Sequence, residues 1–195
     1  ERGGDGVALY GHEISETTLD KYSDDDRRRY IDSVKQKLSF YAVRSERSIL
    51  EAIYSLAKSI ELRDKRTREH CDRMVEYAEK MAQRVGMNEH EVDNVRRAAM
   101  LHDIGKIGIK DELLLKSETL SNEEREQFKR HPEIGEHIVR SLAFLKEVSV
   151  LTRHHHEHYN GKGYPDGLRY DEIEWGARIL GVADSFDAMT SDRTY

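Results

Sequence analysis

The chain of 195 residues contains one cysteine and two prolines, and each scarcity bears on the class of structure it can form. The single cysteine, Cys71, cannot form a disulfide within the chain, fits a reducing compartment and is expected to be a small buried residue of a helix. No apolar run approaches the roughly 18 residues that a membrane-spanning helix needs, and no signal peptide is visible. These absences predict a cytoplasmic protein.

An excess of positive charge is also lacking, because 32 Lys and Arg residues face 38 Asp and Glu residues, for a formal charge of −6. A general nucleic-acid-binding protein would normally carry a basic face, so this class is disfavoured. A local cationic pocket for a small anionic substrate needs no such excess. The shortage of proline, together with long stretches that lack strand-like alternation, predicts an all-α protein.

The N-terminal part of the chain is polar and then helical. Residues 1 to about 26 are predicted to be a linker or the remnant of an upstream domain. From Arg27 to Arg63 there is no proline or glycine, and apolar residues recur every three or four positions, which predicts one long helix. This helix either forms a homodimer as a signalling element or packs on the domain that follows, and the pattern leaves both open.

The later helices carry apolar stripes that end in, or lie beside, a histidine or an aspartate. Cys71 and His70 lie near the start of the first of them, which we expect to end at Gly86. In a further apolar segment, Trp175 to Thr190, Asp184 is predicted to be buried. The helix that contains His70 and Cys71 is predicted to run from about Thr67 to Val85, with an inward stripe of His70, Met74, Tyr77, Met81 and Val85. The other predicted helices run from Glu89 through His102, from a capping box at Ser121 to a break that Pro132 forces after His131, and from Leu145 through His156.

The histidines and aspartates on these stripes predict a metal site. A lone buried histidine is usually a hydrogen-bonded core residue, but several buried without partners would together cost more than a domain's net stability. The nitrogen and oxygen donor set contains no thiolate pair, which excludes a Cys-type zinc site and favours iron, manganese or another borderline metal. Seven candidates suit two ions that share a carboxylate, for which adjacent His102-Asp103 is suitable. The candidates are His70, His102, Asp103, His131, His155, His156 and Asp184.

Five sequence blocks in a consistent order give the chain a resemblance to a known family. His102-Asp103-Ile104-Gly105-Lys106 resembles the signature of the HD metal-dependent phosphohydrolases. His155-His156-Glu157, followed by Gly161-Lys162-Gly163-Tyr164-Pro165, resembles the HD-GYP subfamily. Blocks at 130–135 and 183–193 complete the match, which runs from about Ser45 to Tyr195.

This resemblance implies an HD-type helical bundle at residues 45–195, apparently truncated at its C-terminal end, after a linker or signalling helix region at residues 1–44. Members of the HD-GYP subfamily hydrolyse cyclic di-GMP to the linear dinucleotide pGpG, and in some cases to GMP, by a metal-bridging hydroxide. By matching position, the seven candidates would bind two divalent metal ions, iron or alternatively manganese, with Asp103 as the bridge. Asp103 and Lys106 would be catalytic, Lys106 and Arg193 would hold substrate phosphates, and Gly163-Tyr164-Pro165 would border the pocket.

The chain departs from the family pattern at three positions. Arg66 replaces a Glu that members with a third metal use, so a two-metal site is predicted. Asn160 replaces the more usual Asp before the glycine-rich turn, and Thr194 stands where Pro is common.

Glu157 follows two of the candidate ligands. Its carboxylate either orients a ligating histidine or is solvated.

Two other functions stay open at this point. The pocket could sense a cyclic dinucleotide without hydrolysing it, or recruit a GGDEF-type cyclase through the Tyr164-Pro165 loop. Alternatively, the substrate could be a hybrid cyclic GMP-AMP. His154 and His158 match no ligand position and are predicted to face solvent or to line the entrance.

Overall fold

The computed structural model describes residues 8–9, 12–13, 23–63, 68–116 and 118–191. Arg66, Arg193 and Thr194 lie outside the described residues. The described residues are overwhelmingly helical, which confirms the all-α prediction. Within these ranges, no helix is both long enough and apolar enough to cross a bilayer.

The elements follow one another as a series of helices joined by short turns. Two two-residue strands, β1 (Ala8–Leu9) and β2 (His12–Glu13), pair antiparallel ahead of the first helix. The α-helices are α1 (Asp24–Arg63), α2 (Arg68–Arg84), α3 (Glu89–Leu101), α4 (Asp111–Leu114), α5 (Asn122–Phe128), α6 (His131–Arg140), α7 (Lys146–His154) and α8 (Trp175–Thr190), and 3-10 helices span Ile104–Gly108, Ala143–Leu145 and Tyr170–Glu172.

Helix α1 begins three residues earlier than the sequence pattern predicted. The hydroxyl of Ser23 accepts a hydrogen bond from the backbone N–H of Asp26, which satisfies a donor of the first turn. Three aspartates then occupy that turn, where negative charge is favoured by the helix dipole. The predicted polar linker therefore ends before Ser23 and not at residue 26.

The chain divides into two compact units, Glu1–Ile49 and Leu50–Tyr195. In the first, the α1 side chains of Ile31 and Leu38 are at least half exposed. A homodimer through this helix stays a prediction. The assignment of residues 1–44 to a linker region and of 45–195 to a phosphohydrolase domain also stays one.

The core of the second unit lies where α2, α3, α7 and α8 pack together. On α2 the buried residues are Met74, Ala78 and Ala82, and Cys71 is buried beside them as predicted. Val85, predicted to face inward, is exposed because α2 ends at Arg84 and the chain turns away. Small alanines thus form the inward face, because α3 packs closely against it.

Pro132 begins a helix and does not end one. The capping box at Ser121 is confirmed, since its hydroxyl accepts from the Glu124 N–H at 3.2 Å and the Glu124 carboxylate accepts from the Ser121 N–H at 2.8 Å. The predicted break after His131 was wrong, because α5 ends at Phe128 and α6 starts at His131. Proline is tolerated in a first turn, where its missing N–H has no helical acceptor to lose.

Candidate metal centre

Helix ends bring the candidate ligands into one buried region. His102 caps the C-terminal end of α3, Asp103 follows it, His131 opens α6 and His155 caps the C-terminal end of α7. Gly105 makes this packing possible, because a Cβ there would lie 1.9 Å from the backbone oxygen of His131. A glycine in the block after Asp103 is therefore needed to bring α6 against the 3-10 helix Ile104–Gly108.

The first cluster consists of His131, His155 and His156, whose ligand atoms all lie within 4.8 Å of one another. Nδ1 of His131 donates to the Phe128 carbonyl at 2.9 Å, and Nδ1 of His155 donates to the Thr152 carbonyl at 2.6 Å. A carbonyl can only accept, so each proton is on Nδ1 and each Nε2 carries a lone pair. The two Nε2 atoms are 3.4 Å apart. Two lone pairs cannot form a hydrogen bond, whereas a cation would satisfy both.

The electrostatic environment keeps these three imidazoles neutral. Burial lowers the pKa of His155 to about 3, and the neighbouring His102 and His131 act in the same direction. Burial also lowers the pKa of His131 and of His156. Neutral imidazole is the form that binds metal ions, so the cluster has the protonation state that a metal site requires.

The second cluster consists of His70, His102 and Asp184, whose ligand atoms also lie within 4.8 Å of one another. Nδ1 of His102 donates to the Ala99 carbonyl at 2.8 Å. Its Nε2 is buried, and within the part of the chain that the structure describes it has no hydrogen-bond partner. Nδ1 of His70 lies 2.6 Å from Asp187. Asp184, predicted to be buried, is partly exposed, at 14% of its side chain.

Asp103 lies between the two clusters. Its Oδ1 is 3.3 Å from Nε2 of His131, and its Oδ2 is 3.2 Å from Nε2 of His102. Burial alone would lower the pKa of His102, but the carboxylate of Asp103, followed by that of Asp184, raises it to about 9. A carboxylate with one oxygen toward each cluster has the geometry of a bridging ligand.

Lys106 is wholly buried, and its Nζ donates to Oδ2 of Asp103 at 2.8 Å. The same Nζ lies 5.5 Å from the centroid of the Phe128 ring. A direct contact of Lys106 with substrate phosphate stays a prediction, as does that of Arg193. In the structure, Lys106 donates to the carboxylate that lies between the two clusters.

The loop that contains Tyr164 and Pro165, joined by a cis peptide, borders the first cluster. The centroid of the Tyr164 ring lies 4.9 Å from that of His156. A Cβ at Gly163 would lie 2.2 Å from the backbone nitrogen of His158, so the close approach of this loop to the end of α7 requires glycine. The loop therefore lies beside the first cluster, and its contact with substrate stays a prediction.

Glu157 holds this loop in place. It is buried, and its carboxylate accepts hydrogen bonds from the backbone N–H groups of Asp166 at 2.6 Å and of Gly167 and Leu168, both at 3.0 Å. Both sequence-based alternatives, a partner of a ligating histidine and a solvated carboxylate, were wrong. Backbone donors nine to eleven positions away leave no periodic signal in the sequence.

His154, predicted to face solvent or to line the entrance, is only 13% exposed and is held by two carboxylates. Its Nδ1 lies 2.6 Å from Glu174 and its Nε2 3.1 Å from Asp166, so it links α7 to the loop and to the start of α8. Arg153 binds both oxygens of Asp166 at 2.7 Å. His158 is exposed, as predicted.

Sequence reasoning missed two carboxylates of this region. Asp187 accepts from His70, and its position one helical turn after Asp184 was a signal that could have found it. Glu61 on α1 is buried at 3% exposure, and its carboxylate groups with His102 and Asp103 within 4.8 Å. The α1 pattern gave no sign that this glutamate would reach the site.

Comparison with known sequences places this site in a family. The family model described as HD domain matches residues 54–195. The cyclic di-GMP phosphodiesterase response regulator RpfG of Xanthomonas campestris is 40% identical over 165 residues, covering 84% of this chain and 44% of that protein. A cyclic di-GMP phosphodiesterase of Thermotoga maritima is 39% identical over 178 residues, covering 87% of this chain and 48% of that protein.

Two further relatives are named for a different cyclic dinucleotide. The 3'3'-cGAMP-specific phosphodiesterase 2 of Vibrio cholerae is 34% identical over 197 residues, covering 100% of this chain and 38% of that protein. The crystal structure of a cyclic GMP-AMP-specific phosphodiesterase from V. cholerae matches with a TM-score of 0.59 at 20% identity, covering 72% of this chain and 40% of the other, which supports the fold alone. The chain spans less than half the length of these relatives.

Proposed function

Because this chain belongs to the HD domain family, we propose that it is a metal-dependent phosphodiesterase of the HD-GYP type that hydrolyses cyclic di-GMP to the linear dinucleotide pGpG, with GMP as the product of any second step. The observation that carries the proposal is the position of Asp103, with one oxygen beside His131 and the other beside His102. Two imidazole clusters joined by one carboxylate form a donor set for a pair of divalent cations.

The residues present fit such a pair. His131, His155 and His156 would hold one cation, His70, His102 and Asp184 would hold the other, and Asp103 would contact both. The buried Nε2 of His102 supports this fit: it has no hydrogen-bond partner among the described residues, although an oxygen of Asp103 lies 3.2 Å away, and a buried polar atom needs a partner. The nitrogen and oxygen donors favour iron and, as the alternative, manganese. Paired divalent cations supply an activated water and stabilise the charge that develops during phosphodiester hydrolysis.

The chain's own residues orient and shield this chemistry. Backbone carbonyls hold the Nδ1 protons of His102, His131 and His155, so that their Nε2 atoms point inward. Lys106 offsets the negative charge of Asp103 where solvent cannot do so. We propose that Lys106 and Arg193 also act on the substrate phosphates. The partly exposed ring of Tyr164 offers a face on which a guanine base can stack.

A hybrid substrate, 3'3'-cGAMP, is the second candidate. Its support is specific, because a relative named for that substrate matches the whole length of this chain at 34% identity. The two nucleotides differ in one purine, so base contacts and not the cation site must discriminate between them. Recruitment of a GGDEF-type cyclase stays a prediction.

The test is an anaerobic assay of the chain loaded separately with iron(II) and manganese(II), with each cyclic dinucleotide offered alone and in competition. Chromatography would resolve pGpG and GMP. We expect metal-dependent linear product, with cyclic di-GMP consumed faster. Faster turnover of 3'3'-cGAMP would replace the substrate but keep the reaction. Tight binding of cyclic di-GMP without any product, in a folded and metal-loaded chain, would favour a sensor.

A further inference from the structure

Glu61, near the C-terminal end of α1, is a buried carboxylate for which the proposed function has no use. Its side chain is 3% exposed, yet Oε2 has no hydrogen-bond partner in the ranges that the structure describes. A buried ionised carboxylate is strongly unfavourable unless it is paired, hydrogen-bonded or bound to a metal ion. The arrangement around Glu61 therefore calls for a positive partner at Oε2.

The neighbours of Glu61 identify that partner as a cation. A carboxylate oxygen of Glu61, a ring nitrogen of His102 and a carboxylate oxygen of Asp103 lie within 4.8 Å of one another. Nδ1 of His102 is already bonded to the Ala99 carbonyl, so only its Nε2 can serve as a ligand. Any ion bound by this trio is therefore the same ion that His102 shares with His70 and Asp184.

The contact of Glu61 with Cys71 leaves the Glu61 carboxylate able to bind a cation. The thiol of Cys71 hydrogen-bonds to the Glu61 carboxylate, and burial together with this carboxylate raises the pKa of that thiol. A thiol is a weak donor and does not neutralise a carboxylate. Cys71 therefore orients Glu61 without supplying the missing charge.

We propose that Glu61 is a further carboxylate ligand of the cation held by His70, His102 and Asp184, contributed by α1. This inference rests on the metal centre proposed above. It adds a donor from outside the five sequence blocks that carry the family resemblance. The two cation positions would then be unlike, with a carboxylate-rich position at His102 and a histidine-rich position at His131. The C-terminal part of α1, which belongs to the second unit, would take a direct part in metal binding.

The test compares Glu61→Gln with wild type and with Glu51→Gln, a matched change at an exposed position of the same helix. Manganese(II) affinity and stoichiometry would be measured by calorimetry against a competing chelator, and melting temperatures with and without metal. We expect Glu61→Gln to weaken one of two manganese ions at least 10-fold, and to melt no lower than wild type without metal. The melting-temperature gain on adding manganese should shrink in Glu61→Gln alone. Equal affinities for both ions in all three proteins would overturn the proposal.

A second measurement covers the case in which Glu61→Gln fails to fold. In a crystal structure of the manganese-loaded wild-type chain, a Glu61 oxygen at a bonding distance of about 2.2 Å supports the proposal, and a Glu61 bound only to protein overturns it. Hydrolysis of cyclic di-GMP is scored separately. A wild-type chain that binds manganese through Glu61 but turns over no nucleotide would refute the proposed function and leave this inference standing.

Discussion

Nδ1 of His70 lies 2.6 Å from Oδ2 of Asp187, which joins α2 to α8 across 117 positions of the chain. Arg73 holds the same carboxylate, with Nε 2.5 Å from Oδ1, and also donates to Ser191 at 2.8 Å. Asp187 thus does for His70 what backbone carbonyls do for His102 and His131. A charged acceptor also makes the opposite ring nitrogen a stronger ligand.

Replacement of Asp187 by Asn should weaken metal binding about 10- to 100-fold, the usual effect of losing the carboxylate behind a ligating histidine. Metal titration by calorimetry would measure it. Asp171→Asn is the matched control, because Asp171 pairs with Arg178 at the surface. If Asp187→Asn binds manganese as tightly as this control, His70 does not depend on its carboxylate partner.

The metal-free chain should lose stability as pH falls from about 6.5 to 3. In the unfolded chain His155 takes up a proton near pH 6.5, whereas in the folded chain its pKa is about 3. The unfolded state therefore binds more protons in this window, so the free energy of unfolding decreases as the pH decreases. His102 has the opposite effect, because its pKa in the folded chain is about 9. Its contribution to stability is fully present below pH 6.5 and is lost as the pH rises through 9.

Urea unfolding at a series of pH values, after removal of metal with a chelator, would test this behaviour. His155→Gln should flatten the acid limb of the stability curve, and His158→Gln, at an exposed position, should leave it unchanged. An acid limb that is identical in His155→Gln and wild type would contradict the assignment.

Replacement of Glu157 by Ala should loosen the Tyr164 loop while leaving the two histidine clusters in place. Three backbone N–H groups lose a charged acceptor, for which we expect a cost of about 2–4 kcal/mol in the free energy of unfolding. Hydrogen exchange at Asp166 to Leu168 should accelerate, and KM should rise more than kcat falls. Glu172→Ala, which removes a single exposed acceptor, is the control. Unchanged exchange at these amides would contradict this role.

Replacement of Lys106 by Met should lower kcat about 100-fold, the usual effect of removing one group that stabilises developing charge. Methionine fills a similar volume, so folding should survive, and Lys110→Met at an exposed position is the control. Full activity of Lys106→Met would exclude both a role at the substrate phosphate and a role at Asp103.

Helical periodicity, together with single residues that mark helix ends, predicted much of this fold. The capping box at Ser121 and the glycine after α2 mark helix ends by local chemistry, so the sequence alone suffices there. Pro132 is ambiguous for the same reason, because proline can begin a helix as well as break one. The inward face of α2 could not be read from hydrophobicity, since close packing of α3 selects Ala78 over Tyr77.

The candidate ligands were predictable because each is an unusual polar residue on an apolar stripe. Their supports were not, because Glu157 binds backbone groups and Glu61 reaches the site through tertiary packing. The partners of His154 were not predictable for the same reason, since Glu174 and Asp166 come from other parts of the chain. Sequence reports which side chains need partners but not which partners the fold supplies.

The most direct test of the shared-carboxylate centre is the bound metal and turnover of Asp103→Ala beside wild type. We expect about two manganese or iron ions per wild-type chain, and metal-dependent hydrolysis of cyclic di-GMP, with both lost in Asp103→Ala because each cluster loses its common oxygen ligand. Asp171→Ala should retain both. An Asp103→Ala chain that keeps two ions and full activity would contradict the account.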